Sequence, residues 1–286
     1  MAYDWQTLVE NVADPSHVPY AHHGVQGKRS QGKPIPLEII ESTPNLIKAK
    51  VERDLKTTIT FEPPCRLEYA INIGDEKKSL GLVVYCIPVT PGKSRIVGQF
   101  PRNFAKTLHK LTPRWWNHLT VRHLVLEGDM ILLQQQECYL QQRQEEESWK
   151  TAYKLPTQAD RLVIEFRRWF DMYCQGKLPW KIVGITEEKF KINENRHELL
   201  DRYHQHTQHC SSCRNALQNV KRWQGILLIF AIISVIISSV MSDEFRLQWG
   251  IPLGCLVITA LGVYSWLKWW LEPRFYFLDY VHADKK

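Results

Sequence analysis

The chain has 286 residues, 44% of them hydrophobic and 23% charged, a balance that excludes a disordered, collagen-like or disulfide-scaffold protein. Thirty-seven Lys and Arg against 30 Asp and Glu leave a formal charge of +7, which suits an anionic membrane surface or an acidic ligand. No nucleic-acid partner is expected, because no basic strip interleaved with aromatics and no nucleic-acid module is present.

Met1 to Glu10 is polar, so no cleavable signal peptide is expected. The segment Glu10 to His23 holds the first residues that could carry chemistry. His17 and His22, with a carboxylate nearby, are suitable ligands for a first-row divalent ion. Asp14 before Pro15 reads as a helix N-cap followed by Pro at the first helical position. Positions five apart on a continuous helix differ by about 140°. Convergence of the two rings therefore needs a bend, which Pro19 can supply. His23 competes with His22, and His118 and His123 repeat the same spacing downstream.

From Leu37 to about Phe100 the chain reads as short strands. Leu46–Val51, Thr57–Phe61, Leu67–Ile73, Leu80–Ile87 and Ile96–Phe100 are β-branched or aromatic runs separated by Pro, Gly, Asn or charge. That spacing predicts an antiparallel sheet of five or six strands. Helix formers follow over Phe104–Leu126 and Met130–Glu147, and Gln158–Tyr173 places Leu162, Ile164, Phe166, Trp169, Phe170 and Tyr173 largely on one face. Glu188 to about Tyr203 is polar and weakly helical. The fold class expected is α+β, a curved antiparallel sheet covered by long helices.

Cys210 and Cys213 form a CxxC pair before the last apolar segments. It reads as two free thiols, as a redox pair, or as half of a mixed Cys/His zinc site with His204, His206 or His209. The remaining cysteines are expected to be small buried hydrophobes in a reducing compartment. Gly225–Met241 and Gly250–Leu267 are uncharged and just long enough to span a bilayer core. The intervening Ser242–Trp249 carries Asp243, Glu244 and Arg246, so it is expected in water. Lys221, Arg222, Lys268, Arg274, Lys285 and Lys286 flank the outer ends, which predicts a transmembrane hairpin with the N-terminal domain on the cytoplasmic or stromal side. The domains expected are residues 1–204 for the catalytic domain, 205–224 for a CxxC linker, 225–267 for the hairpin and 268–286 for a basic tail.

The string Asn11-x2-Asp14-x2-His17-x4-His22 resembles the mononuclear-iron motif of the Rieske non-haem oxygenases. The fuller wording LVENVADPSHVPYAHHG is similar to their branch containing pheophorbide a oxygenase, chlorophyllide a oxygenase and an import-translocon oxygenase of chloroplasts. Trp116-Asn117-His118, Val125 to Asp129, Gln135-Gln136-Glu137, the Cys210/Cys213 pair and the apolar hairpin resemble that branch in the same order. The resemblance implies a helix-grip-like catalytic domain with Fe(II) held by His17, His22 and Asp129, with Glu127 as runner-up for the carboxylate. It implies that Asp14 links an iron histidine to the reductant cluster, that Asn11 supports the same region, and that Cys210 and Cys213 are a thioredoxin-responsive redox pair.

A Rieske cluster requires Cys-x-His and Cys-x2-His. None of the seven cysteines is followed by His at either spacing, and ten residues precede Asn11, so the cluster domain is expected to be missing. The cofactors implied are Fe(II) and an external [2Fe–2S] Rieske cluster as electron donor. The activity implied is oxygen insertion from O2 into a chlorophyll-type tetrapyrrole such as pheophorbide a or chlorophyllide a, improbable in isolation without that donor. Trp115, Trp116, Trp169 and Phe170 are candidates to line the substrate pocket. A homo-oligomer in a thylakoid, plastid or cyanobacterial inner membrane is expected. The alternative is a catalytically silent, membrane-anchored tetrapyrrole or lipid carrier with a vestigial metal site.

Overall fold

The computed structural model describes all residues except 52–54, 75–76, 144–148, 181–183, 186–194 and 280–286. Expectations for residues 144–147, 188–194 and 280–286 lie outside the described residues. The helices are α1 Trp5–Ala13, α2 Val18–Ala21, α3 Lys106–Leu111, α4 Arg114–Asn117, α5 His123–Arg143, α6 Trp149–Ala152, α7 Arg161–Cys174, α8 Arg196–Leu199, α9 Ser211–Val240 and α10 Asp243–Ser265. Met1–Thr112 with Leu124–Leu199 forms one compact unit, and Pro113–His123 with Leu200–Asp279 forms another.

The first unit is α+β. Strands β1 Leu37–Thr43, β2 Leu46–Val51, β3 Leu55–Glu62, β4 Arg66–Ile73, β5 Lys78–Thr90 and β6 Lys93–Gln99 form an antiparallel sheet in sequence order. β2 alternates along its whole length, and β3, β4 and β5 alternate around Ile59–Phe61, Leu67–Tyr69 and Val84–Cys86, as a period of two requires. Ile47, Phe61, Leu67 and Val84 are in register across four strands, and all are buried. α1 and α7 cover this face through Trp5, Leu8, Val9, Leu162, Phe166 and Phe170. Trp5 packs against Phe166 at 5.6 Å and Phe170 at 5.4 Å, and its Nε1 donates to the Cys86 carbonyl at 2.9 Å, pinning α1 to β5.

Three helix boundaries differ from expectation. The chain breaks at Pro113, which takes the N-cap position of α4, and then runs from a π-helical turn at His118–Arg122 into α5. α5 passes through Gly128 without interruption, since one glycine costs a helix only about 1 kcal/mol. Asp14 is the C-cap of α1 and not an N-cap. Its Oδ1 accepts from Ser16 N at 2.7 Å and Ser16 Oγ at 2.5 Å, a side-chain turn that competes with helix continuation.

The second unit is built on α9 and α10. Leu119, Cys213, Ala216, Leu217, Val220, Leu267, Leu271 and Phe275 form its core. The expected aqueous loop is shorter than the sequence suggests. α10 starts at Asp243, with Asp243 and Glu244 in its first turn, where carboxylates favour the positive end of the helix dipole.

Candidate metal centre

His17 and His22 bracket the single turn of α2. Pro19 sits in that first turn, where its missing N–H has no partner to lose, so it starts the turn and does not bend a longer helix. The rings converge for another reason. His22 leaves helical geometry at φ −108°, ψ 28°, and its carbonyl accepts from Val25 N at 3.0 Å and Gln26 N at 2.9 Å. The loop that supplies those donors turns at Gly24, whose φ of +78° favours glycine.

Asp129 comes from α5, more than a hundred residues later. His17 Nε2 and His22 Nε2 lie 3.2 Å apart, and Asp129 reaches to 3.4 Å of His22 and 4.0 Å of His17. All three ligand atoms fall within 4.8 Å of one another. Donors about 2.1 Å from a divalent ion and at right angles stand about 3.0 Å apart, so the two shorter distances fit a shared cation. His22 is 2% exposed and Asp129 5%, whereas His17 is partly open.

Protonation follows from the contacts. His17 Nδ1 lies against the Asp14 carbonyl, which can only accept. The proton therefore belongs on Nδ1, and the neutral ring presents its Nε2 lone pair to the centre. His22 Nδ1 is buried and makes no hydrogen bond among the described residues. Burial, reinforced by the Asp129 carboxylate, pushes the Tyr3 phenol well above its ordinary value, so Tyr3 stays neutral beside the site. Two imidazoles and one carboxylate are the donor set of non-haem Fe(II) oxygenases, and these residues fit it.

The other expected residues are placed as follows. Asp14 Oδ2 stands 3.9 Å from His17 Nδ1, and the closer partner is the Asp14 backbone carbonyl. Asn11 offers its own carbonyl to Asp14 N at 3.3 Å. His23 Nδ1 accepts from Arg29 N at 3.1 Å, outside the centre, and Glu127 is buried but not among the converging groups. Trp169 and Phe170 are core residues, Trp169 donating to the Pro44 carbonyl at 2.8 Å. Trp115 and Trp116 pack within the second unit against Phe275 and Trp270. Trp169 and Phe170 are thus buried in the core of the first unit, while Trp115 and Trp116 remain half-buried. Cys210 and Cys213 lie in the second unit beside His206 and His118.

A buried network that sequence reasoning missed sets the height of α1. Glu10 pairs with Arg167 of α7 and accepts from Tyr153 Oη at 2.8 Å. Arg167 also donates to Tyr153 Oη at 2.9 Å, as does Gln136 of α5 at 3.2 Å. Thr7 donates to Glu137 of α5. Three helices are thus tied around the base of the segment carrying His17. The available signal was a Glu on the apolar face of α1 and an Arg on that of α7.

Residues 61–147 match the family model described as pheophorbide a oxygenase. Pheophorbide a oxygenase from Oryza sativa is 32% identical over 305 residues, taking in 99% of this chain and 56% of the relative. The Arabidopsis thaliana protein of the same name is 32% identical over 309 residues, with the same shares. Flavonoid 8-hydroxylase 2 of Ocimum basilicum is 27% identical over 304 residues, with 98% of this chain and 56% of the relative covered. The chain is a homologue of pheophorbide a oxygenase and the related chloroplast oxygenases. It spans about half the length of these curated relatives.

Proposed function

We propose that the chain is the catalytic portion of a membrane-anchored non-haem Fe(II) oxygenase acting on a chlorophyll-type tetrapyrrole, with electrons from a [2Fe–2S] Rieske unit outside these 286 residues. The observation that carries this reading is the convergence of His17, His22 and Asp129 in a homologue of pheophorbide a oxygenase. Iron held there would supply binding and activation of dioxygen.

The chain's own residues do the rest. His17 and His22 offer lone pairs, the first with its tautomer set by the Asp14 carbonyl. Asp129 brings one negative charge into a nearly closed setting, where a divalent cation offsets the cost of burying it. The burial of His22 and Asp129 keeps water from two of the three donors, while the partly open His17 leaves a side for approach. Asp14, partly exposed beside His17, is the group through which an electron donor on a neighbouring copy or another protein would couple. The absence of Cys-x-His and Cys-x2-His from the seven cysteines supports a donor outside this stretch.

Two helices are long and apolar enough to cross a membrane, and only 17% and 6% of their apolar windows are buried within the chain. Ile226, Ile229, Ile233, Ile251 and Ile258 would face water without a bilayer. That supports an integral hairpin in a plastid or cyanobacterial membrane, with the basic ends on the stromal or cytoplasmic side. Relatives named for pheophorbide a favour a tetrapyrrole substrate, and a flavonoid hydroxylase at 27% identity makes a flavonoid the proper competitor in an assay.

The deciding experiment is ferrous loading of the detergent-solubilised chain under anaerobic conditions. About one iron per chain is expected in the wild type and none in His17→Ala. A wild type that binds pheophorbide a but no iron would instead make the chain a pigment carrier.

A further inference from the structure

We propose that His118 Nδ1, His206 Nε2, Cys210 Sγ and Cys213 Sγ form a closed, structural zinc site in the second unit, separate from the centre at His17. The four atoms all lie within 4.8 Å of one another. With Zn–N near 2.05 Å and Zn–S near 2.3 Å, a tetrahedron has edges of about 3.3 Å for N···N and about 3.6 Å for N···S. The observed edges are 3.2 Å for His118 to His206, 3.2 Å for His118 to Cys213, 3.5 Å for His206 to Cys213 and 3.8 Å for His118 to Cys210. Two sulfurs and two imidazoles in this arrangement suit zinc, and four protein donors leave no open position for a reaction.

The local backbone serves the same end. His118 opens a π-helical turn over His118–Arg122, and His206 lies in another over Tyr203–Thr207. Such turns are rare and cluster where a side chain must be re-aimed. Cys210 is the N-cap of α9, and Cys213 enters its first turn. Zinc would thus join two regions far apart in sequence, the turn at His118 and the stretch His206–Cys213, at the foot of α9 where Cys213, Leu119 and Leu217 share a core. The expected partners His204 and His209 point elsewhere: His204 Nδ1 contacts Asp201 at 2.5 Å, and His209 Nε2 contacts the Gln208 amide at 3.1 Å.

Charge favours a metal over a dithiol switch. Binding Zn2+ with loss of two thiol protons leaves a neutral centre, which an apolar core tolerates. Cys213 is fully buried and Cys210 half-buried, so an attacking thiolate has access to one sulfur of the pair, Cys210 Sγ.

The test uses the full chain in detergent, purified under reducing conditions. About one zinc per chain is expected by elemental analysis. It should be retained in His17→Ala and lost in His118→Ala and in the Cys210→Ser, Cys213→Ser double variant. Because those variants can fail to fold, Co2+ exchange into the wild type gives a second readout. Intense thiolate-to-cobalt bands with tetrahedral visible transitions are expected. Reduced protein without zinc and without those bands would overturn the proposal, as would isolation of a Cys210–Cys213 disulfide that added zinc does not prevent. Iron binding at His17 is scored separately, so failure of either site leaves the other standing.

Discussion

His17 shows how one backbone oxygen can prepare a ligand. The Asp14 carbonyl claims the Nδ1 proton, and the lone pair needed by a metal is left on Nε2, 3.2 Å from its counterpart on His22. Asp129→Ala should abolish stoichiometric ferrous binding in an anaerobic titration. His23→Ala should leave it intact, because His23 is spent on the Arg29 amide. Glu137 makes a separate residue-scale prediction. Burial, with Asp4 and Glu10 nearby, pushes its carboxyl from an ordinary 4.5 to about 7 against the hydrogen bond from Thr7. Between those values the folded state keeps a proton that the unfolded state releases, so stability is full below about 4.5 and falls as pH climbs through 7. Glu137→Gln should flatten that slope and gain on the order of 2–3 kcal/mol at pH 7.5, read from denaturant midpoints across pH.

At the scale of elements, the centre depends on α1, α5 and α7 keeping their relative heights. The buried Glu10–Arg167 pair is the joint among them, and both residues are 4% exposed. Removing one partner leaves an uncompensated charge, so Glu10→Ala should cost about 3–5 kcal/mol by thermal unfolding. A Glu10→Met, Arg167→Met double variant should recover most of that loss, since an apolar pair of similar volume carries no desolvation cost. Equal losses in the single and double variants would mean that packing, and not charge, makes the joint. The strands were readable because their alternation is local, and Leu46–Val51 matches its strand to the residue. The helix boundaries were less so. Pro113 separates two helices because it lacks an N–H and clashes with the preceding turn, whereas Gly128 fails to end α5 because one glycine costs a helix only about 1 kcal/mol.

At the scale of the whole molecule, α9 and α10 carry the physical contrast between an α+β unit and an apolar helical hairpin. Their outward faces are isoleucine, leucine, valine and phenylalanine, while Lys221, Gln224, Lys268 and Glu272 gather at the foot, Lys268 contacting Glu272 at 3.0 Å and Gln224 contacting it at 2.9 Å. Arg274 lies 3.8 Å over the Trp270 ring, the pairing of cation and aromatic that suits a headgroup region. The expressed chain should sediment with membranes and resist alkaline extraction, and brominated lipids should quench part of its tryptophan fluorescence. Release into the alkaline supernatant would remove the integral hairpin from the reading.

Order along the chain was enough to determine the fold class, the two apolar runs and the candidacy of His17 and His22, because periodicity, hydropathy and motif spacing are local properties, whereas Asp129 entered through the family resemblance. Only the tertiary structure decided which donors meet. Asp129 was separated from its neighbour Glu127 by the rotation of α5, and His118 was brought to the Cys210–Cys213 pair from some ninety residues upstream. Convergence of that kind is a product of packing, since burying apolar faces sets the distances at which polar atoms are left to find one another.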